Sequence, residues 1–265
     1  MKTKERRKQI RNGWIPNLTF GIISLLMITG CNQAESNKNK IDTTDDGTEQ
    51  EISETFQELG FFGEIKKEKW NDFVQAVQNN VSHSRQESGN LAFSLYQPAD
   101  GKYEAFWFER FENKQAHNFH KEQDYFKNAI SVIQQSLARE AKSIELKEVN
   151  EIPAREAVIS QNPELTRNVI VLFDVKPDKR QSFINTMREV TLPSRNAIGN
   201  LEFNLYQYVN ESNKFVLIES WKNADDHKAH LEQEYSKKMN KLLEDIFASN
   251  PMHTRWLVKD ISVNK

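Results

Sequence analysis

Four of the six histidines fall into two matched pairs. His117 and His120 stand three residues apart, and His227 and His230 repeat that spacing 110 positions later. A tyrosine follows each pair at the same distance, Tyr125 and Tyr235. An imidazole gains and loses a proton near neutrality, so it can serve as acid and base in one turnover. Recurrence at the same place in two stretches favours His120 and His230 as catalytic bases over helix-surface histidines that only hydrogen-bond. His117 and His227 point to a neighbouring helix face and suit a surface role. A metal site is not expected. Ligands three apart are less usual than four apart, no carboxylate pattern accompanies them, and the single cysteine, Cys31, excludes a multi-thiolate centre.

The same offset repeats other chemical groups. Glu109 and Glu219 sit among apolar neighbours, where a carboxylate must be paired or must hold its proton more tightly. Arg85 and Arg195 are the expected partners, making a buried structural ion pair in each copy. Asn90, Tyr96, Asn200 and Tyr206 lie on the more polar face of an alternating strand, placed either to hydrogen-bond a substrate hydroxyl or to trim the sheet edge. Trp221 could stack on a substrate, although core packing suits it, and Trp107, better.

These residues belong to an internal duplication. Ser84-Arg-x-x-x-Gly-Asn-Leu-x-Phe-x-Leu-Tyr-Gln97 falls on Ser194–Gln207 without a gap, and Phe73, Glu109, Asn113 and Gln123 find Phe183, Glu219, Asn223 and Gln233 at the same 110-residue offset. The copies run over 58–150 and 166–265, joined by a 151–165 linker carrying Pro153 and Pro163. Each copy predicts a strand (Val169–Val175), a helix carrying Phe183, Ile184, Met187 and Val190, and a strand with two unlike faces (Leu201–Tyr206). A strand apolar on both faces (Lys214–Trp221), a helix capped by Asn223 that continues to about Phe247, and a last strand from Trp256 follow. The order βαββαβ is the ferredoxin-like motif, an α+β class. A strand apolar on both faces must be covered on both, so the two sheets are expected to pack on each other as an intramolecular dimeric α/β barrel around a chamber.

The first 31 residues read as a lipoprotein signal peptide. A basic leader (Lys2 to Arg11) precedes an apolar stretch, and Ile28-Thr-Gly-Cys31 resembles a lipobox with Cys31 as the lipidation site. Residues 32–57 read as a polar, disordered tether. The expected location is extracytoplasmic, on the cell or outer membrane of a bacterium. A net charge of -2 carries no basic excess, so no nucleic-acid partner is expected.

The Ser-Arg-x-x-x-Gly-Asn-Leu-x-Phe-x-Leu-Tyr-Gln stretch, followed by Glu219-Ser-Trp221-Lys-Asn-Ala224-Asp-Asp-His227-Lys-Ala-His230, resembles the antibiotic biosynthesis monooxygenase (ABM) domains. Copy one has Phe111 where the family usually has Trp, and Tyr125 and Tyr235 stand where some members carry a second histidine. The resemblance implies a monooxygenase of small aromatic or quinol substrates that needs no cofactor. His120 or His230 would form the electron-rich anion that reacts with O2, and copy two keeps more family features. It leaves two alternatives: a non-catalytic lipoprotein that binds a small hydrophobic ligand, and a haem-binding or haem-degrading protein. A monomer with an internal pseudo-dimer is the expected assembly.

Overall fold

The computed structural model describes residues 54–262. The expected signal peptide, Cys31 and most of the tether lie outside the described residues. Copy one contains β1 (Phe56–Glu64), α1 (Trp70–Ser84), β2 (Asn90–Pro98), β3 (Glu104–Phe111), α2 (Lys114–Glu122), α3 (Asp124–Ser136) and β4 (Lys142–Glu148). Copy two contains β5 (Arg167–Asp174), α4 (Arg180–Asn196), β6 (Asn200–Tyr208), β7 (Lys214–Trp221), α5 (Ala224–Leu231), α6 (Glu234–Leu242) and β8 (Arg255–Asp260). Phe56 and Gln57, counted with the tether in sequence, are already part of β1.

The second helix of each copy was expected to run unbroken, to about Phe247 in copy two, but it is two helices, and α6 ends at Leu242. It breaks at Gln123 and at Gln233, whose backbones are extended (ψ 147° and 149°). Each break follows the buried histidine by three residues, and the glutamine N–H still donates to the His120 or His230 carbonyl. The caps are as read: the Asn113 and Asn223 side chains accept from Ala116 N and Asp226 N, both at 2.8 Å.

All eight strands form one closed antiparallel barrel in the order β1-β3-β2-β8-β5-β7-β6-β4. Alone, each copy would expose β2 and β4, or β6 and β8, as edges that invite aggregation. The copies remove those edges by pairing them: Leu146–Glu148 of β4 with Tyr206–Tyr208 of β6, and Tyr96–Pro98 of β2 with Val258–Asp260 of β8. A single chain thus supplies both halves of the barrel.

Strand alternation divides the core into three layers. Inward residues such as Leu59, Phe106, Phe108, Leu146, Ile170, Tyr206, Val216 and Ile218 pack in the lumen. Outward strand residues meet the helices: Phe93, Leu95 and Trp107 pack on Phe73 and Val77 of α1 in copy one, and Phe203, Phe215 and Leu217 on Phe183 and Met187 of α4 in copy two. Phe215 and Leu217 therefore face away from Val216 and Ile218, as the doubly apolar β7 required. Apolar side chains from all sides pack against one another in the lumen where the chamber was expected, and an eight-stranded barrel is only wide enough to be filled by side chains or to hold one small ligand.

Candidate active site

At the end of the barrel where β3 and β7 finish, the chain turns directly into α2 and α5. Those helices fold back over the outer face of the strand they leave. This places each histidine pair over its glutamate, Glu109 or Glu219, in the cleft between sheet and helix.

In copy one His120 is fully buried. Its Nδ1 lies 2.8 Å from Glu87 Oε1, which also accepts the Tyr125 hydroxyl, and its Nε2 lies 3.4 Å from Asn80 Nδ2. A carboxylate only accepts and an amide NH2 only donates, so the network fixes the proton on Nδ1 and occupies both nitrogens. His117 stacks on Phe56 (4.0 Å between ring centres), with Nε2 3.4 Å from Glu109 Oε1. Glu58 is the cross-strand neighbour of Glu109 and accepts from Trp107 Nε1 at 3.1 Å. Burial, reinforced by Glu109, pushes the Glu58 carboxyl well above the usual range, and burial does the same to Glu109. Burial and the nearby Lys121 charge push His117 down to about 4. Near neutrality the His117–Glu109 contact is thus not an ion pair, because the imidazole is neutral.

Copy two has a different charge state. His230 stacks on Trp221 (4.4 Å), and its Nδ1 is 2.9 Å from the Tyr235 hydroxyl. Among the described residues its Nε2 has no hydrogen-bond partner. Trp221 Nε1 donates to Glu219 Oε2 at 3.1 Å, and His227 Nε2 lies 3.6 Å from Glu219 Oε1. Burial raises the Glu219 carboxyl, but His227, with help from His230, outweighs it and holds the group below its ordinary value. Burial lowers His230, keeping it neutral and able to accept a proton.

Three local differences cause this. Ala197 and Val190 occupy the positions of Glu87 and Asn80. In addition, β1 carries an irregularity between Phe61 and Gly63 that β5 lacks, so Glu58 faces Glu109 whereas Val169 faces Glu219. One extra residue in a strand changes which side chains stand opposite each other. Gly63 has the positive φ (70°) that this bend needs.

The expected ion pairs do not form. Arg85 Nε donates to the Phe93 carbonyl (2.8 Å) and Arg195 Nε to the Phe203 carbonyl (3.0 Å), because a long side chain at the end of a helix meets the next strand's backbone first. Asn90 bonds Ser84 Oγ and Asn200 the Glu202 carbonyl, both at 3.0 Å, beside strand irregularities rather than in a binding pocket. Tyr96 and Tyr206 point into the lumen, on the opposite face of the sheet from His120, His230 and Trp221, so the structure does not bring the expected set together. Around the tyrosines lies a polar floor: Arg110 bonds Glu148, and Asn204 Nδ2 donates to Glu202 Oε1 at 2.9 Å. Burial pushes the Glu202 carboxyl up to about 7. Glu58, Asn80, Glu87, Arg110 and Glu202 were missed in sequence. Only Glu87 carried a signal, lying two residues after Arg85 inside the repeated motif.

Among the described residues no group of three or more His, Cys, Asp or Glu is arranged to hold a metal ion. A surface groove of about 850 Å³ between α1 and residues 163–164 is lined by Trp70, Val74, Gln78 and Ile261, with no histidine among its lining residues.

The family model for antibiotic biosynthesis monooxygenases matches residues 44–132 and 166–242, over both copies. The chain belongs to the antibiotic biosynthesis monooxygenase family. YcnE of Bacillus subtilis (strain 168) is 38% identical to this ABM chain over 58 residues, 22% of this chain and 61% of YcnE. The Synechocystis protein sll1783 is 30% identical over 74 residues, 28% of this chain and 50% of the relative. The ABM chain thus spans between half and two thirds of the length of these two relatives. Among solved structures, a Fusobacterium nucleatum protein superposes with a TM-score of 0.72 at 22% identity, covering 79% of this chain and 93% of that one, which establishes the shared fold.

Proposed function

We propose that this ABM protein is a cofactor-independent monooxygenase of a small aromatic or quinol substrate, with copy two as the working site and His230 as its base. The observation that carries the reading is the neutral, Trp221-stacked His230, one nitrogen on Tyr235 and the other without a partner, beside an ionised Glu219. YcnE and the Fusobacterium nucleatum protein both bear provisional monooxygenase names, in line with this reading. His230 Nε2 takes a phenolic proton. The phenolate gives an electron to O2, the two radicals join in a C–O bond, and the hydroperoxide loses water to leave a carbonyl. A quinol and one O2 become a hydroxyquinone and one water. Glu219, held ionised, stabilises the imidazolium while it carries the proton, and Tyr235 orients the ring. Lipidation at Cys31 would hold the domain at a membrane surface, where quinols concentrate. The test is O2 uptake across a panel of soluble quinols, with mass detection of one ¹⁸O atom in the product. Absence of uptake throughout the panel would refute the proposal.

A second reading rests on copy one. With both nitrogens of His120 occupied, that half suits a packing partner rather than a catalytic site.

A further inference from the structure

The two copies treat one strand edge differently. In copy two the chain after β4 returns as a strap along β6. Val158 N donates to the Leu201 carbonyl (2.9 Å), and Arg195 donates to the Pro153 carbonyl (2.9 Å). The Asn204 side chain accepts from Arg155 N (2.9 Å) and donates to Arg155 O (2.8 Å). Under the strap Leu201 is 4% and Asn204 1% exposed.

In copy one β8 runs beside β2 only from Tyr96 to Pro98, and Ile261 and Ser262 carry the contact to Leu95. Among the described residues no strap continues beside Leu91 to Ser94. Leu91 is 37% exposed, and Ala92 and Ser94 are partly exposed. Arg85 repeats its counterpart's bond to the strand carbonyl, but among the described residues its terminal nitrogens have no partner.

We propose that this open edge of β2 is a docking site for an extended peptide of a partner protein, which adds a strand beside Leu91–Ser94 and presents a backbone carbonyl to Arg85. An uncovered edge is a template for strand addition, with main-chain bonds supplying affinity and alternate side chains supplying selectivity. The strap shows the fit, since a peptide already sits on the same strand and arginine in copy two. The added strand also continues the β2–β8 pairing line. A small carboxylate would satisfy Arg85 but leave Leu91 uncovered. A second copy of this chain has its own strap engaged in its own barrel.

The probe is a synthetic peptide of the strap sequence, Ile152 to Ile159, titrated into the isotope-labelled full chain. Saturable shifts are expected at the Leu91–Ser94 amides and at Arg85 Nε–H, with Leu201–Leu205 unmoved. Arg85→Gln should weaken binding at least tenfold while Leu201–Leu205 report an intact fold. Ser94→Asn restores the side chain that grips the strap, and two added hydrogen bonds should tighten binding by about tenfold. No shift at the β2 edge, equal shifts from a scrambled peptide, or indifference to both substitutions would overturn the proposal. So would Leu91 and Phe93 amides already protected from exchange in the full chain without peptide, since the occupant would then be the chain itself.

Discussion

The two histidine clefts share a frame and differ in charge. Each has a histidine pair over a strand glutamate and a tyrosine beyond a helix break, while the tryptophans stand at unlike positions, Trp107 on Glu58 and Trp221 on Glu219. Copy one adds Glu58, Asn80 and Glu87. The result is a sealed cluster with a neutral His117, protonated carboxyl character at Glu58 and Glu109, and His120 tied at both nitrogens. Copy two lacks the additions, so Glu219 stays ionised and His230 keeps a nitrogen to spare. Under the proposed function, fusion would let one half keep the packing while the other keeps the chemistry, because the barrel needs both sets of strands but only one set of site residues.

The largest expected effect separates the halves by activity. His230→Ala should lower kcat/KM by roughly 10²- to 10⁴-fold, the usual contribution of a positioned base, while His120→Ala leaves the rate per folded molecule within about threefold of wild type. Initial rates of O2 uptake at several quinol concentrations check both.

Stability should show the reverse order. His120→Ala strips Glu87 and Asn80 of a partner at a buried site and is expected to cost about 2–4 kcal/mol, more than His230→Ala. Urea unfolding monitored by tryptophan fluorescence reads the difference.

A pH effect of middle size belongs to the lumen, where Glu202 in copy two stands at the position of Ala92. Its carboxyl is raised to about 7 by burial, so the native state binds a proton that the unfolded chain has released. That contribution is complete below the ordinary carboxylate value and is lost as pH rises through about 7. Between pH 5 and 8 it amounts to on the order of 2 kcal/mol. Glu202→Gln should flatten that part of the stability profile, and an unchanged slope would refute the assignment.

The smallest effect sharpens the comparison. Ala197→Glu gives His230 the carboxylate that His120 has. An opposite charge favours the imidazolium, so the acid limb of the rate profile should move to higher pH, by about half a unit.

Much of the fold was legible because the chain states it twice. Constant spacing marked the repeat, and the alternation of Leu201, Phe203 and Leu205 with Glu202, Asn204 and Tyr206 separated the two faces of β6. Alternation could not say which face becomes the lumen, so Tyr206 and His230 were expected together and lie on opposite sides of the sheet. The partners of Arg85 and Arg195 were missed because a strand carbonyl leaves no mark on composition. The one-residue irregularity at Gly63 was equally silent, and with it the encounter of Glu58 with Glu109. The strap escaped notice because Pro153 and Pro163 read as linker punctuation, whereas Arg155 and Val158 bind β6.

The central claim is that catalysis resides at His230 in the copy-two cleft. The most direct test compares His230→Gln and His120→Gln as folded proteins in single-turnover O2 consumption with the best quinol of the panel. The account predicts that His230→Gln abolishes the fast phase and His120→Gln retains it, with an acid limb below the ordinary imidazole range because burial lowers His230. Loss of the fast phase in His120→Gln, with His230→Gln unaffected, would contradict it.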